Sequence, residues 1–294
     1  MSGLQEIRVR KLKPEEHGRT RELWERIFTE DTPEFLDYYY SVKTKDNEIY
    51  VIEDDGAIVS MLHLNPYTMR VGEKQYQTHY IVAVATDERY RKRGFMAALL
   101  NQSMKDMAER GEPFTFLMPA AEAIYLPFGF RYIYRQNRSR VAGVKQPESG
   151  LAIERATEED CPEIAAFANT CLKEYRVVTW RDACYYQTLL AEQRSENGGI
   201  LLARREGHLV GILPYTNAEM WECREPLFLK REDMEAAIYH LTGNEKESVL
   251  CVGYKGEEKK PMIMGRILNE EVFFRCFGSE NFPDSEEIFI NEVV

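Results

Sequence analysis

The feature that most constrains the fold is a strand that leads into a helix through a short basic turn. Residues 82–96 read VAVATDERYRKRGFM, so Arg91, Lys92 and Arg93 stand directly before Gly94. The residues after Gly94 predict a long helix with one apolar side. Backbone amides at a helix start lack acceptors within the helix and lie at its positive end. The segment therefore predicts a pyrophosphate site, at which Gly94 lets the phosphates approach the backbone.

The letters R-x-x-G alone also fit a solvated basic turn beside a helix start, and the flanking pattern decides between the two interpretations. A β-rich apolar stretch precedes the turn, and residues 125–130 (YLPFGF) follow it after a further predicted strand. We therefore favour a ligand-binding segment over a solvated turn.

The first half of the chain predicts an α/β layer domain with the element order β-α-α-β-β-β-α-β-α-β. Asp55-Gly56 between two apolar runs predicts a hairpin. Thr32, Pro33 and Glu34 predict a capped helix start. The predicted strands are residues 7–11, 48–53, 57–64, 80–86, 114–118 and 130–136, and the predicted helices begin near Pro14, Pro33, Gly94 and Ala121.

The second half predicts a partial repeat of the first, after the linker-like residues Gln146–Gly150. Residues 153–159 resemble residues 7–13. Further on, LLARREGHLV, with a turn glycine between two apolar runs, resembles the first hairpin. Such internal similarity indicates a tandem duplication.

Two domains are therefore predicted, at residues 1–145 and 150–294. Residues 229–234 (LKREDM) carry no glycine where the corresponding helix of the second copy should open. We expect the second half to bind no cofactor for this reason.

Composition limits the class of partner and the location. The formal net charge of −11 argues against a nucleic-acid ligand and favours a cationic one. No apolar run is long enough to span a bilayer, and the N-terminal residues lack a secretory apolar region, so we expect no membrane partner and a cytoplasmic location. The six cysteines show no metal-ligand spacing and predict buried free thiols, with no metal site.

The basic turn resembles the acetyl-CoA loop of the GNAT superfamily of N-acetyltransferases. That loop reads R/Q-x-x-G-x-G/A, and Arg91–Met96 (RKRGFM) is similar to it, with Met96 in place of the usual small residue. This replacement, together with residues 117–130, resembles the Eis-like (enhanced intracellular survival) subgroup. Residues 262–268 and 288–294 are similar to the C-terminal, sterol-carrier-like region of that subgroup.

The resemblance implies an α/β (α+β) fold, in which a GNAT-type mixed sheet flanked by helices is followed by a second, smaller GNAT-like domain with a short C-terminal segment. It implies acetyl-CoA as co-substrate and no metal. The chain is shorter than the usual members of the subgroup, which leaves their hexameric assembly, and any homo-oligomer, open for this protein.

The resemblance also implies roles for individual residues. Val84 and Thr86 should face the acetyl-pantetheine arm with their backbone groups, and Tyr125 should be the general acid that protonates the departing thiolate. The terminal carboxylate, here that of Val294, should help to deprotonate the amine. The residues expected to hold the pyrophosphate are Arg91, Lys92, Arg93, Gly94, Phe95 and Met96. The substrate-side candidates are Phe28, Glu30, Asp31, Tyr38 and Tyr39.

Each of these roles has a structural alternative. Tyr125 also fits a packed aromatic residue, and Val294 fits a frayed tail, although the apolar run Ile288–Ile290 favours docking. The substrate-side aromatic residues also fit the core. For His63 and His79 we expect packing within strands rather than catalysis.

The function that follows from these expectations is transfer of an acetyl group from acetyl-CoA to an amine by direct attack. A small cationic molecule is the favoured acceptor. Two alternatives stay open, namely a protein lysine or N-terminal acetyltransferase and a non-catalytic acyl-CoA-binding protein.

Overall fold

The computed structural model describes residues 7–145, 150–218, 220–245, 247–256 and 258–292. These residues form two compact units, of which the first holds residues 7–133 and 263–283, and the second holds residues 134–262 and 284–292. Most of the predicted linker, Gln146–Ser149, lies outside the described residues. The predicted limits at 145 and 150 stay a prediction about independent domains.

The first part of the chain forms the elements that the sequence predicts, in the predicted order. The bounds are β1 (Arg10–Lys11), α1 (Arg21–Ile27), α2 (Pro33–Ser41), β2 (Glu48–Asp54), β3 (Ala57–Val71), β4 (Lys74–Thr86), α3 (Phe95–Glu109), β5 (Phe114–Leu117), α4 (Glu122–Tyr125) and β6 (Arg131–Ala142).

The later elements repeat this alternation. The bounds are β7 (Leu151–Arg155), α5 (Cys161–Cys171), β8 (Val177–Thr179), α6 (Ala183–Ser195), β9 (Gly199–Arg205), β10 (His208–Thr216), β11 (Glu222–Arg224), β12 (Leu227–Phe228), α7 (Arg231–Thr242), β13 (Ser248–Val252), β14 (Glu258–Ile267), α8 (Glu270–Phe277) and β15 (Ile288–Phe289).

Local chemistry explains the element ends. The Thr32 side chain accepts a hydrogen bond from the backbone N–H of Phe35 and caps α2, as predicted. Asp55 and Gly56 both have positive φ, which is the conformation that a two-residue hairpin turn requires. The first predicted helix differs, because residues 14–20 form a 3₁₀ segment before α1 begins.

The sheet of the first unit has the order β1-β2-β3-β4-β5-β14. The pairs β1–β2, β2–β3 and β3–β4 are antiparallel. Strands β4 and β5 are parallel, and β14 is antiparallel to β5. Strand β3 continues past its predicted end to Val71, because β4 pairs with it as far as Lys74. The last strand of this sheet thus comes from a segment remote in sequence.

The strands of the second unit follow a similar order, which is β7-β9-β10-β11-β13-β6. The short strand β12 also pairs with β10. The directions also repeat, since β11 and β13 are parallel and the other neighbours in this series are antiparallel. Here the last strand is β6, which the sequence predicts as the last strand of the first copy and which pairs with β13 in the second unit instead. The predicted duplication is therefore visible as two similar strand orders.

Each unit has its own apolar core. In the first unit α3 and α4 pack on the sheet, with Leu99, Leu100, Met107, Phe130 and Met264 among the buried side chains. Among the described residues of the second unit, buried apolar side chains form clusters on both Leu202 and Leu213. Within the described residues, no helix has both the length and the apolar character needed to cross a bilayer.

All six cysteines are free thiols. Cys161, Cys223 and Cys251 are buried, as predicted, whereas Cys184 is exposed and Cys171 and Cys276 are half-buried. Cys184 is the second residue of α6, where the helix start faces water, and this explains the departure from the prediction.

Candidate functional site

Strand β4 carries a β-bulge that the sequence does not predict. Val82 pairs with His63 and Ala85 pairs with Met61, so the single residue Leu62 lies opposite two residues of β4, Ala83 and Val84. Ala83 has φ of +51°, a conformation that residues other than glycine rarely adopt. A bulge frees peptide groups from the regular ladder, so this point of β4 can offer backbone groups to a ligand.

The same part of β4 runs beyond its parallel neighbour. Tyr80 of β4 pairs with Phe116 of β5, and β5 ends at the following residue, Leu117. Strand β4 continues to Thr86, so its last residues extend past the end of that strand. The candidate residues Val84 and Thr86 lie on this extension and are half-buried, and Thr86 Oγ1 is 2.7 Å from Ser60 Oγ.

Asp87 holds the turn that leaves β4. Its carboxylate accepts hydrogen bonds from the Arg89 backbone N–H (2.9 Å) and from the Arg89 guanidinium (3.1 and 3.0 Å). Arg26 of α1 pairs with the same carboxylate at 2.9 Å. The bonds from Arg89 lower the pKa of Asp87 to about 2, so the group stays ionised at neutral pH.

The basic residues of the turn face solvent. Arg91, Lys92, Arg93 and Gly94 are all exposed. Lys92 and Gly94 have φ of +63° and +84°, and Gly94 is the N-cap residue of α3. The first α-helical backbone bond runs from Ala98 to Gly94, which leaves the earlier amides of the helix without internal acceptors. The turn thus presents positive charge and free amide donors on the surface.

The backbone conformation at Gly94, rather than a lack of space, favours glycine at this position. A Cβ at this position would meet only Ile7 Cδ1, at 3.7 Å, which is an ordinary contact. The left-handed backbone is therefore the main restriction on a larger residue here. The sequence also predicts that glycine lets phosphate groups approach the backbone here, and this stays a prediction.

Tyr125, the predicted general acid, packs in one cluster with part of the predicted cofactor site. It is 7% exposed, and Val84, Phe95 and Met96 pack against the same cluster. Its ring meets Phe130 edge to face at 5.9 Å between centroids. The hydroxyl has no hydrogen-bond partner among the described residues, and burial raises the pKa of Tyr125. The phenol is therefore a protonated donor that is not already engaged.

The substrate-side candidates divide by accessibility. Glu30 is exposed, and Phe28 and Asp31 are half-buried, so all three retain surface for a ligand. Tyr38 and Tyr39 are 6% and 0% exposed, which makes them core residues in this conformation.

Trp24 connects the accessible candidates. Its ring lies 5.6 Å from that of Phe28, and its Nε1–H donates to Asp31 Oδ2 at 2.6 Å. Burial raises the pKa of Asp31, and the Trp24 bond opposes that shift. Trp24 therefore contacts both the Asp31 carboxylate and the Phe28 ring.

Tyr39 belongs to a buried polar cluster with both histidine and asparagine. Its hydroxyl lies 3.2 Å from His63 Nδ1 and donates to Asn65 Oδ1 at 3.0 Å. Burial lowers the pKa of His63 to about 3, so the ring is neutral. His79 instead lies 2.9 Å from a carboxylate oxygen of Glu112. Both histidines are packed in strands, as the sequence analysis expects.

The second unit carries a corresponding bulge, and its own side chains fill it. Glu225, between β11 and β12, has φ of +53°, close to that of Ala83. Its carboxylate accepts two bonds from Arg181 Nη2, at 2.8 and 2.9 Å. A Cβ on Gly253, the residue after β13, would lie 2.9 Å from Asn291 Nδ2 and 3.3 Å from Glu225 Cγ. Side chains of this unit thus fill the place that corresponds to the bulge of β4.

Arg181 also binds the C-terminal segment. Its Nη1 donates to Glu292 Oε1 at 3.1 Å, and Ile288, Phe289 and Ile290 are 0–2% exposed. The described part of this segment is therefore docked rather than frayed. Val294, the predicted catalytic terminus, lies outside the described residues.

We expect Arg181→Met to lower the free energy of unfolding by about 3 kcal/mol, because it leaves two buried carboxylates without their cation. Burial already raises the pKa of Glu225 in the native protein. In the variant the folded-state pKa of Glu225 should lie further above the unfolded value near 4.3, because the neighbouring cation is gone. The loss should then be smallest in acid and grow as pH rises through that range.

Urea unfolding of the variant between pH 4 and 8 measures this loss. Arg204→Met is the control, since Arg204 pairs with Glu154 and Glu163 at the surface and its removal should cost less than about 1 kcal/mol. Equal losses for the two variants would contradict a buried charge cluster.

No group of three or more His, Cys, Asp or Glu side chains that could hold a metal ion occurs in the part of the chain that the structure describes.

Sequence comparison identifies the first unit. Residues 8–133 match the profile of the acetyltransferase (GNAT) domain family. No curated protein sequence matches the chain significantly.

Solved structures share the fold of nearly the whole chain. A conserved protein of unknown function from Enterococcus faecalis V583, described as a probable N-acyltransferase, has a TM-score of 0.75 at 18% identity over 92% of this chain and 74% of its own. Eis1 from Mycobacterium abscessus gives 0.66 at 14% identity over 92% and 76%. A tandem GNAT protein from the clavulanic acid biosynthesis pathway gives 0.59 at 12% identity over 90% and 99%. At these identities the likeness establishes the fold, which includes a tandem arrangement.

Proposed function

We propose that this chain is an acyltransferase that transfers the acetyl group of acetyl-CoA to an amine, because residues 8–133 match the acetyltransferase (GNAT) domain family and the chain shares the fold of Eis1 and of a tandem GNAT protein. One observation carries the proposal. The bulged end of β4, the exposed basic turn and the start of α3 follow one another, and Tyr125 packs in one cluster with Val84, Phe95 and Met96.

The proposed binding mode uses main-chain groups first. The amides between Arg91 and Met96 hold the pyrophosphate at the positive end of α3, and Arg91, Lys92 and Arg93 add charge. The backbone of Val84 and Thr86 lies against the acetyl-pantetheine arm. The exposure of the turn and the bulge at Ala83 support this assignment.

The proposed chemistry is direct transfer. The neutral amine attacks the thioester carbonyl carbon, a C–N bond forms and the C–S bond breaks. The Val84 amide stabilises the negative charge on the carbonyl oxygen, as an oxyanion donor does. Tyr125 gives its proton to the departing sulfur, and the amine nitrogen loses a proton. The family resemblance predicts that the Val294 carboxylate assists that last step.

We propose a small cationic molecule as the acceptor. Glu30 and Asp31 provide negative charge, and Phe28 beside Trp24 provides aromatic faces for a cation. The net charge of −11 also favours encounter with a cation. A protein lysine or N-terminal amine is the alternative acceptor. The cytoplasmic location stays a prediction from the sequence.

The test is acetyl-CoA-dependent release of thiol with a panel of polyamines, aminoglycosides and lysine-containing peptides. We expect turnover with small cationic amines, and kcat/KM should fall as salt screens the attraction. Turnover with peptides alone would favour the protein acetyltransferase. Acetyl-CoA binding without turnover on any amine would favour the non-catalytic alternative and overturn the proposal.

A further inference from the structure

Arg266 of β14 is a half-buried arginine with no acidic partner among the described residues. Its side chain makes no ion pair or hydrogen bond with any residue that the structure describes, and its Nε is fully enclosed without an acceptor. Burial lowers the pKa of Arg266, and no neighbouring carboxylate offsets that effect. Most of the described arginines pair with carboxylates, so the isolation of Arg266 calls for a physical reason.

The position of Arg266 brings it next to the proposed active site. Met264 and Arg266 pair with Leu117 and Thr115 of β5, and alternate residues of a strand share a face. Met264 packs in the same cluster as Tyr125. Arg266 thus lies on the sheet face that carries α4, the helix that ends with Tyr125.

The guanidinium reaches the turn that follows Tyr125. Arg266 Nη1 lies 3.0 Å from the position that a Cβ of Gly129 would occupy, and Gly129 has φ of +80°. Any side chain at residue 129 would therefore press on the guanidinium as well as strain the backbone. The glycine of the Phe-Gly-Phe sequence leaves Arg266 room beside residues 126–130.

A half-buried cation without a partner has lost part of its hydration, and a bound anion can offset that loss. A guanidinium binds the paired oxygens of a carboxylate or phosphate especially well because its donors form a planar fork. We propose that Arg266, at the turn 126–130, binds an oxyanion group of one of the two substrates. This inference rests on the proposed acetyl transfer.

Two sources can supply such a group, and two matched ligand pairs distinguish them. Acetyl-CoA and its 3′-dephospho analogue differ by one phosphate, and their affinities are measured by calorimetry. Lysine and cadaverine differ by one carboxylate, and their kcat/KM values are compared as acceptors. The two readouts are the ratio of the affinities for acetyl-CoA and its analogue, and the ratio of the kcat/KM values for lysine and cadaverine. We expect Arg266→Gln to reduce one of these two ratios by about 10-fold or more, since a bond to a charged group is lost. Arg266→Lys should restore only part of it, because lysine lacks the planar fork.

The control is Arg131→Gln. Arg131 is exposed and donates to the carbonyl oxygens of Leu126 and Phe130 in the same turn, so its loss should leave both ratios unchanged.

A stability measurement separates ligand binding from a packing role. Without ligand, Arg266→Gln should unfold at the same temperature as the native protein or a higher one, because a half-buried cation without a partner is removed. Inorganic phosphate should stabilise the native protein more than this variant. Loss of stability in the variant, with both ligand ratios retained and equal stabilisation by phosphate, would overturn the proposal. Phosphate stabilisation that depends on Arg266, in a protein with no acetyl transfer, would leave this site standing while the proposed function fails.

Discussion

Tyr125→Phe should lower kcat by about 100-fold or more while the affinity for acetyl-CoA stays near that of the native protein. A positioned general acid contributes about 10²- to 10⁴-fold to a proton-transfer step. Phenylalanine keeps the ring that packs against Phe130 and removes only the hydroxyl. That hydroxyl has no hydrogen-bond partner among the described residues, so its removal should not reduce the stability of the fold. Steady-state kinetics and calorimetry with acetyl-CoA give the two readouts.

The pH dependence provides an independent check of the same role. Tyr125 must be protonated to donate, and burial raises its pKa above the usual value near 10. Activity that depends on this proton should therefore persist through pH 10 and fall only at higher pH. The Phe variant should lack that alkaline fall.

Tyr132→Phe serves as the control for the tyrosine substitution. Tyr132 is 36% exposed at the start of β6, and its conversion should change neither kcat nor acetyl-CoA affinity. If Tyr125→Phe retained the kcat of the control, proton donation by Tyr125 would be excluded.

The sequence predicts the parts of the site that depend on local chemistry. Helix α2 begins at its Thr-Pro signal, the hairpin forms at Asp55-Gly56, and Gly94 caps the helix that follows the basic turn. In each case a few adjacent residues with special backbone or capping properties determine the conformation. Periodicity likewise predicts the apolar side of α3, which packs on the sheet.

Features that depend on register and on distant segments could not be predicted in this way. The bulge places Ala83 at positive φ, yet alanine carries no signal for that conformation. The strand that pairs with β5 in the first unit is β14, more than a hundred residues along the chain from β5. Tyr39 resembles a substrate-side aromatic residue in sequence, but its hydroxyl binds Asn65 inside the core.

The two units show how one backbone arrangement serves different ends. Both have a residue at positive φ near a strand that has a parallel neighbour, namely Ala83 at the bulge of β4 and Glu225 directly after β11. Alanine brings no charged side chain to this point, whereas Glu225 brings a carboxylate that Arg181 neutralises. The helix that follows starts after Gly94 in the first unit and after Lys230 in the second. These differences support the expectation that only the first unit binds acetyl-CoA.

Gly94→Glu should abolish measurable binding of acetyl-CoA, with an affinity loss of about 1000-fold or more. The variant places a negative side chain beside the amides that we propose to hold the pyrophosphate, so it repels and displaces that group. It also forces a residue with a Cβ into φ of +84°, which costs about 1 kcal/mol. The backbone cost alone is too small to explain a loss of this size.

Two further variants separate the backbone effect from the charge at the proposed phosphate site. Gly94→Ala carries the same strain without the charge, and its Cβ would meet only Ile7, so its affinity should fall less than about 10-fold. Gly111→Glu places a glutamate at φ of +79° just past the other end of α3, where an added Cβ would have no atom within 4 Å. This variant should bind acetyl-CoA normally. Calorimetry on the three proteins decides the matter, and native affinity in Gly94→Glu would refute the assignment of the pyrophosphate to this turn.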